Sequence, residues 1–89
     1  MKHYSIKVTG KVQGVWFRAA TQEVAVRLGL NGFVKNENDG SVYIEVEGEK
    51  EKLDELVKWC HQGPPKAEVE QVEALEEKIK NFKGFLIER

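Results

Sequence analysis

The residues with types and spacing suited to chemistry fall in two short stretches. The first is Gly10-Lys11-Val12-Gln13-Gly14-Val15-Trp16-Phe17-Arg18. Its glycines let the backbone bend tightly and present N–H groups with no side chain in the way. Tyr4, Ile6 and Val8 alternate with Ser5, Lys7 and Thr9 before it, the period of a strand; Phe17, Ala20, Val24 and Leu28 recur after it with the period of a helix. The first turn of that helix adds unpaired N–H groups and a partial positive charge, and Arg18 falls in that turn. A glycine-relieved loop, a helix N-terminus and an arginine together suit a phosphate-sized anion. The same spacing also fits a turn required only by sterics, with Arg18 a solvated first-turn side chain. The second stretch carries Asn36, which ends a strand beside the pair Asp39-Gly40. On its own that placement favours an amide that caps the hairpin turn over one that acts on a bound group.

Composition narrows the classes. A length of 89 residues predicts one domain with a thin core. The hydrophobic share of 40% against 33% charged excludes a disordered chain, and no apolar run approaches membrane-spanning length. A net charge of −1 supplies no global basic field for a nucleic acid or an anionic membrane, so an anion site has to be local. The opening residues lack the apolar stretch of a secretory signal, and the single Cys60 excludes an internal disulfide. Both point to a reducing, cytoplasmic setting and no membrane partner.

The elements that must position the two stretches follow in order. The first helix spans about residues 17–28 and stops at Gly29, suited to a left-handed C′ position with Leu30 folding back. Residues 31–36 form a second strand, and the turn 37–40 carries the Asp-Gly hairpin signal. Val42, Ile44 and Val46 alternate in the third strand. Leu53, Leu56, Val57 and Cys60 make the apolar stripe of a second helix, with Trp59 at its margin, and Gly63-Pro64-Pro65 ends it. The charged run 49–52 reads as a solvated face. Ala67 and Val69 begin a fourth strand, whose phase slips near Glu70-Gln71, which predicts a bulge. Residues 76–83 read as polar and loose, and Phe85 and Ile87 as a short last strand. The order βαββαβ predicts a ferredoxin-like α+β sandwich: an antiparallel sheet with the first and third strands central, two helices on one face, and a short extra C-terminal strand.

The two stretches also resemble known signatures. The nine residues from Gly10 to Arg18 are similar to the signature of the acylphosphatase family. Gly32-Phe33-Val34-Lys35-Asn36-Glu37-Asn38-Asp39-Gly40-Ser41-Val42 resembles that family's second signature. Gly63-Pro64-Pro65-Lys66-Ala67-Glu68-Val69 and Gly84-Phe85-Leu86-Ile87 resemble its later segments, so the likeness covers the chain end to end. Trp16 occupies a position where the family varies and often has glycine. The resemblance implies a metal-independent hydrolase without a cofactor, splitting the carboxyl-phosphate bond of a small acyl phosphate into a carboxylate and inorganic phosphate. It also implies that Arg18 holds the phosphoryl group and Asn36 orients the attacking water. The loop residues Gln13, Gly14, Val15, Trp16 and Phe17 then supply backbone N–H donors. The expected working form is a monomer.

Other readings of the same residues carry less. A non-catalytic phosphate-binding module of the same fold keeps the loop but needs neither Asn36 nor turnover. An RNA-recognition domain shares the βαββαβ order but stacks bases on strand aromatics, whereas the third strand here offers Tyr43 among Ser41, Glu45 and Glu47. No nucleic-acid partner is expected. His3 and His61 lack carboxylates or cysteines at metal-ligand spacing and read as solvated or capping residues. Cys60 reads as a small core residue, and Glu37 and Asp39 as turn residues outside the catalytic set.

Overall fold

The computed structural model describes residues 1–88. The chain runs β1 (Lys2–Lys11), α1 (Phe17–Arg27), β2 (Asn31–Asn36), β3 (Val42–Gly48), α2 (Lys50–Cys60), β4 (Glu68–Glu77) and β5 (Phe85–Ile87). The five strands make one sheet in the order β4-β1-β3-β2-β5, which is the expected ferredoxin-like α+β arrangement with one correction. β1, β2, β3 and β4 pair antiparallel, but β5 joins β2 in parallel, with Gly32 opposite Phe85 and Val34 opposite Ile87. The sheet is therefore mixed, and β2 is not an edge. The reason lies in the crossing. The chain leaves β4 at one end of the sheet, crosses that end, and turns back in the direction β2 already runs.

One face of the sheet carries Ile6 and Val8 of β1 opposite Ile44 and Val42 of β3, all fully buried. Both helices cover it with Phe17, Ala25, Leu53, Leu56 and Cys60. The stripe of α2 is as the periodicity requires, but α1 is rotated from the expected phase. Its buried line is Phe17, Thr21 and Ala25, with Val24 and Leu28 at the margin. A threonine can occupy that line because its hydroxyl donates to the Phe17 carbonyl at 2.8 Å, so no polar group enters the core unpaired. At the end of α1, Gly29 at φ +74 donates to Val26 and Leu30 donates to Ala25, a Schellman turn that buries the Leu30 side chain. The bulge is present too: the β1–β4 register passes from Thr9–Gln71 to Gly10–Val69, leaving Glu70 without a partner.

The opposite face overturns two expectations. The segment 76–83 is not loose: Glu76 and Glu77 end β4, and residues 78–84 form a strap across the end of the sheet where β1 begins. The carboxylate of Glu47, 1% exposed, accepts from the backbone N–H groups of Lys80, Asn81 (3.2 Å) and Phe82 (2.9 Å). His3 is fully buried rather than solvated. Its Nδ1 donates to the Lys78 carbonyl at 2.7 Å, and its Nε2 stands 3.0 Å from Glu45 Oε1 without the alignment of a hydrogen bond. The Phe82 ring meets His3 and Phe33 edge-on. Beyond it, Gly84 exchanges hydrogen bonds with Asn31 and Gly32 and so delivers β5 to its place. Glu45 and Glu47 are thus buried structural anions, not an acidic surface. Among the described residues, no helix is long and apolar enough to cross a membrane.

Candidate active site

The loop between β1 and α1 lies at the other end of the sheet, where β1 and β2 finish and β3 begins. Gly14 stands at φ +73 and Trp16 at φ 67, ψ 20, both in the left-handed region, and Trp16 is the N-cap residue of α1. Successive left-handed and right-handed residues turn neighbouring N–H groups the same way, the geometry of an anion nest. Among the described residues, no loop hydrogen bond to a backbone carbonyl starts from the N–H of Gln13, Gly14, Val15, Trp16, Phe17 or Arg18. The helix start has no side-chain cap and no acidic residue in its first turn. Nothing in that turn neutralises the partial positive charge.

A cleft of about 460 Å³ opens on this loop. Gly14, Arg18 and Asn36 contribute its polar lining. Arg18 is half-buried and, among the described residues, makes no ion pair and no side-chain hydrogen bond, so its guanidinium fork is free for a ligand. Asn36 pairs with Val42 through the β2–β3 ladder, and its buried Oδ1 has no hydrogen-bond partner. The hairpin does not depend on it. Asp39 Oδ1 accepts from the Ser41 N–H and hydroxyl, and Gln13 Nε2 donates to the carbonyls of Glu37 (2.8 Å) and Ser41 (2.9 Å). The capping role that Asn36 could have filled is taken by other residues. The hydrogen bonds from Ser41 and the nearby Lys7 ammonium hold the Asp39 carboxyl well below the usual carboxylate range, as befits a turn anchor.

A family model described as Acylphosphatase matches residues 4–87. The chain belongs to the acylphosphatase family. It is 54% identical over 76 residues to an acylphosphatase of Rubrobacter xylanophilus, covering 85% of this chain and 69% of that one. It is 45% identical over 83 residues to an acylphosphatase of Pelotomaculum thermopropionicum, covering 92% and 90%. Its fold superposes on the crystal structure of acylphosphatase from Bacillus subtilis with a TM-score of 0.97 at 36% identity, over the full length of both chains. Family and fold agree with an acylphosphatase enzyme.

Of the residues singled out from the sequence, Gly14, Trp16, Phe17, Arg18 and Asn36 line one cleft. Gln13 and Val15 do not line it. Val15 turns into the core, and the Gln13 side chain ties the loop to the hairpin that bears Asn36. Three further lining residues, Val12, Ala19 and Ile87, were not legible as site residues. Val12 and Ala19 sit inside or beside the first signature without any chemistry of their own. Ile87 arrives only because β5 pairs with β2, and no local pattern announces that.

Proposed function

We propose that the chain hydrolyses acyl phosphates without a metal or other cofactor, with Arg18 and the loop N–H groups holding the phosphoryl group and Asn36 orienting the water. Phosphoryl transfer passes through a loose transition state with charge spread over three equatorial oxygens. A bidentate guanidinium and fixed N–H donors match that distribution without reorganising during the reaction. Water adds to phosphorus as the bond from phosphorus to the acyl oxygen breaks. The electron pair leaves on the carboxylate, and the proton lost by the water passes to the phosphate. With little bonding to water early on, a positioned amide suffices where a strong base would otherwise be needed. A carboxylate, with a conjugate acid of pKa roughly 4, departs without a proton. An alkoxide does not, and neither signature offers a general acid, so ordinary phosphomonoesters should be poor substrates.

The observation that supports this reading is that one cleft is lined by Arg18, whose guanidinium is unpaired, by the loop whose N–H groups make no backbone hydrogen bond, and by Asn36, whose capping role other residues have taken. The test is phosphate release from benzoyl phosphate in EDTA, beside p-nitrophenyl phosphate. Rapid hydrolysis of the first alone is expected. Arg18→Ala should lose at least about a hundredfold, roughly 3 kcal/mol of transition-state stabilisation, and Arg18→Lys should not restore it, because an ammonium has no planar fork. Asn36→Ala should lower kcat more than it weakens binding of inorganic phosphate. Full activity in any of these variants would remove that residue from its role.

A further inference from the structure

The groups that suit a phosphoryl oxygen account for only part of the cleft. Its remaining lining is apolar: Val12, Trp16, Phe17, Ala19 and Ile87. Trp16 is 79% exposed, while its backbone holds a left-handed conformation that disfavours every residue with a Cβ and favours glycine. Burial does not compensate for this strain, and the N-cap side chain makes no hydrogen bond to the helix start. Uncompensated strain of this kind concentrates where a ligand binds. Ala19, exposed and three residues on, lines the same cleft. Asn36 belongs instead to the sheet wall of the cleft, with Ile87 in register beside Val34 two positions earlier. In-line displacement puts the departing acyl oxygen opposite the water. If the water lies toward β2, the acyl group leaves over the helix wall, past Trp16 and Ala19.

We infer that Trp16, with Ala19 beside it, forms an acyl-recognition surface that selects aromatic and longer apolar acyl phosphates over acetyl phosphate. This deepens the acyl-phosphate reading and rests on it. The indole is a rigid apolar plate that gains by stacking or edge contact with an aromatic acyl group, and a methyl group cannot match that contact. Such binding acts mainly on KM, because the acyl carbon chain touches the plate before and during phosphoryl transfer alike.

The test compares kcat and KM for benzoyl phosphate and acetyl phosphate in the native chain, Trp16→Gly and Trp16→Phe. Glycine suits the left-handed backbone and removes only an exposed side chain, so the variant folds. The expected result is a benzoyl-to-acetyl ratio of kcat/KM that falls by roughly five- to tenfold in Trp16→Gly. The loss should lie in KM for benzoyl phosphate, and Trp16→Phe should restore most of it. Hydrolysis of both substrates with the ratio unmoved in Trp16→Gly overturns the acyl surface and leaves the enzyme reading intact. Failure of the folded native chain to hydrolyse either substrate overturns the enzyme reading and the acyl surface with it.

Discussion

The carboxylate of Glu47 should be the main fastening of the strap formed by residues 78–84, and Glu47→Gln tests it. The substitution keeps shape and volume but leaves one acceptor oxygen where three backbone N–H groups converge, and its new NH2 faces donors. At least one strap N–H then loses its partner in a buried setting, at a cost of about 1–3 kcal/mol. The lost acceptor is also a charged one, and hydrogen bonds to charged groups are worth about 1.5–3 kcal/mol. A total of about 2–3 kcal/mol is expected, which for a domain of this size lowers Tm by roughly 8 °C or more. Burial works to raise the Glu47 pKa, but the N–H groups of Lys80, Phe82 and Asn81, with His3, outweigh it and hold the carboxyl below its ordinary value. A depressed carboxyl contributes its stability above the unfolded pKa of about 4.3 and loses it as pH falls through the folded value. The gap between native and Glu47→Gln proteins should therefore be full at pH 7 and shrink below about pH 4. Thermal unfolding followed by circular dichroism at pH 7, 5 and 3.5 measures it. A variant within about 0.5 kcal/mol of the native chain at pH 7 would refute the fastening role.

Two further outcomes follow from the site and the core. Gln13→Ala should lower kcat by roughly ten- to a hundredfold, because the loop bearing Arg18 loses its tie to the hairpin bearing Asn36 and small misplacements are costly at a reacting centre. Gln13→Glu should be worse still, since a carboxylate cannot donate to the Glu37 and Ser41 carbonyls; equal kcat in all three proteins would end that positioning role. Cys60 lies fully buried on α2, and burial pushes its thiol pKa up to about 12, so it should resist dithionitrobenzoate in the native chain and react as a single thiol in urea. Rapid native labelling would show that the core opens there.

What the sequence by itself determined is local or periodic. The strand alternation of Ile6, Val8, Ile44 and Val46 and the stripe of Leu53, Leu56 and Cys60 show which side of each element seeks the core, because each period is written within a few residues. Gly29, Asp39-Gly40 and Gly63-Pro64-Pro65 end their elements through their own backbone restrictions. The residues from Gly10 to Arg18 suit an anion for the same reason, since loop, helix start and guanidinium are close in the chain, and on this rests the proposed phosphoryl site. The tertiary structure alone decided what depends on contacts between distant segments. Thr21 reaches the core because the packing of α1 on the sheet turns that line inward, where its hydroxyl stays paired with the Phe17 carbonyl. Asn36 is released from capping because Gln13 reaches the hairpin from 24 residues away. His3 reads as solvated or capping, and Glu45 and Glu47 as polar strand positions, because polar residues alternate outward on an open face. They are buried because a strap more than thirty residues further on crosses that face, supplying donors to the two carboxylates and an acceptor carbonyl to the His3 ring. Period tells which face a side chain takes, whereas what comes to cover that face is decided by the path of the whole chain.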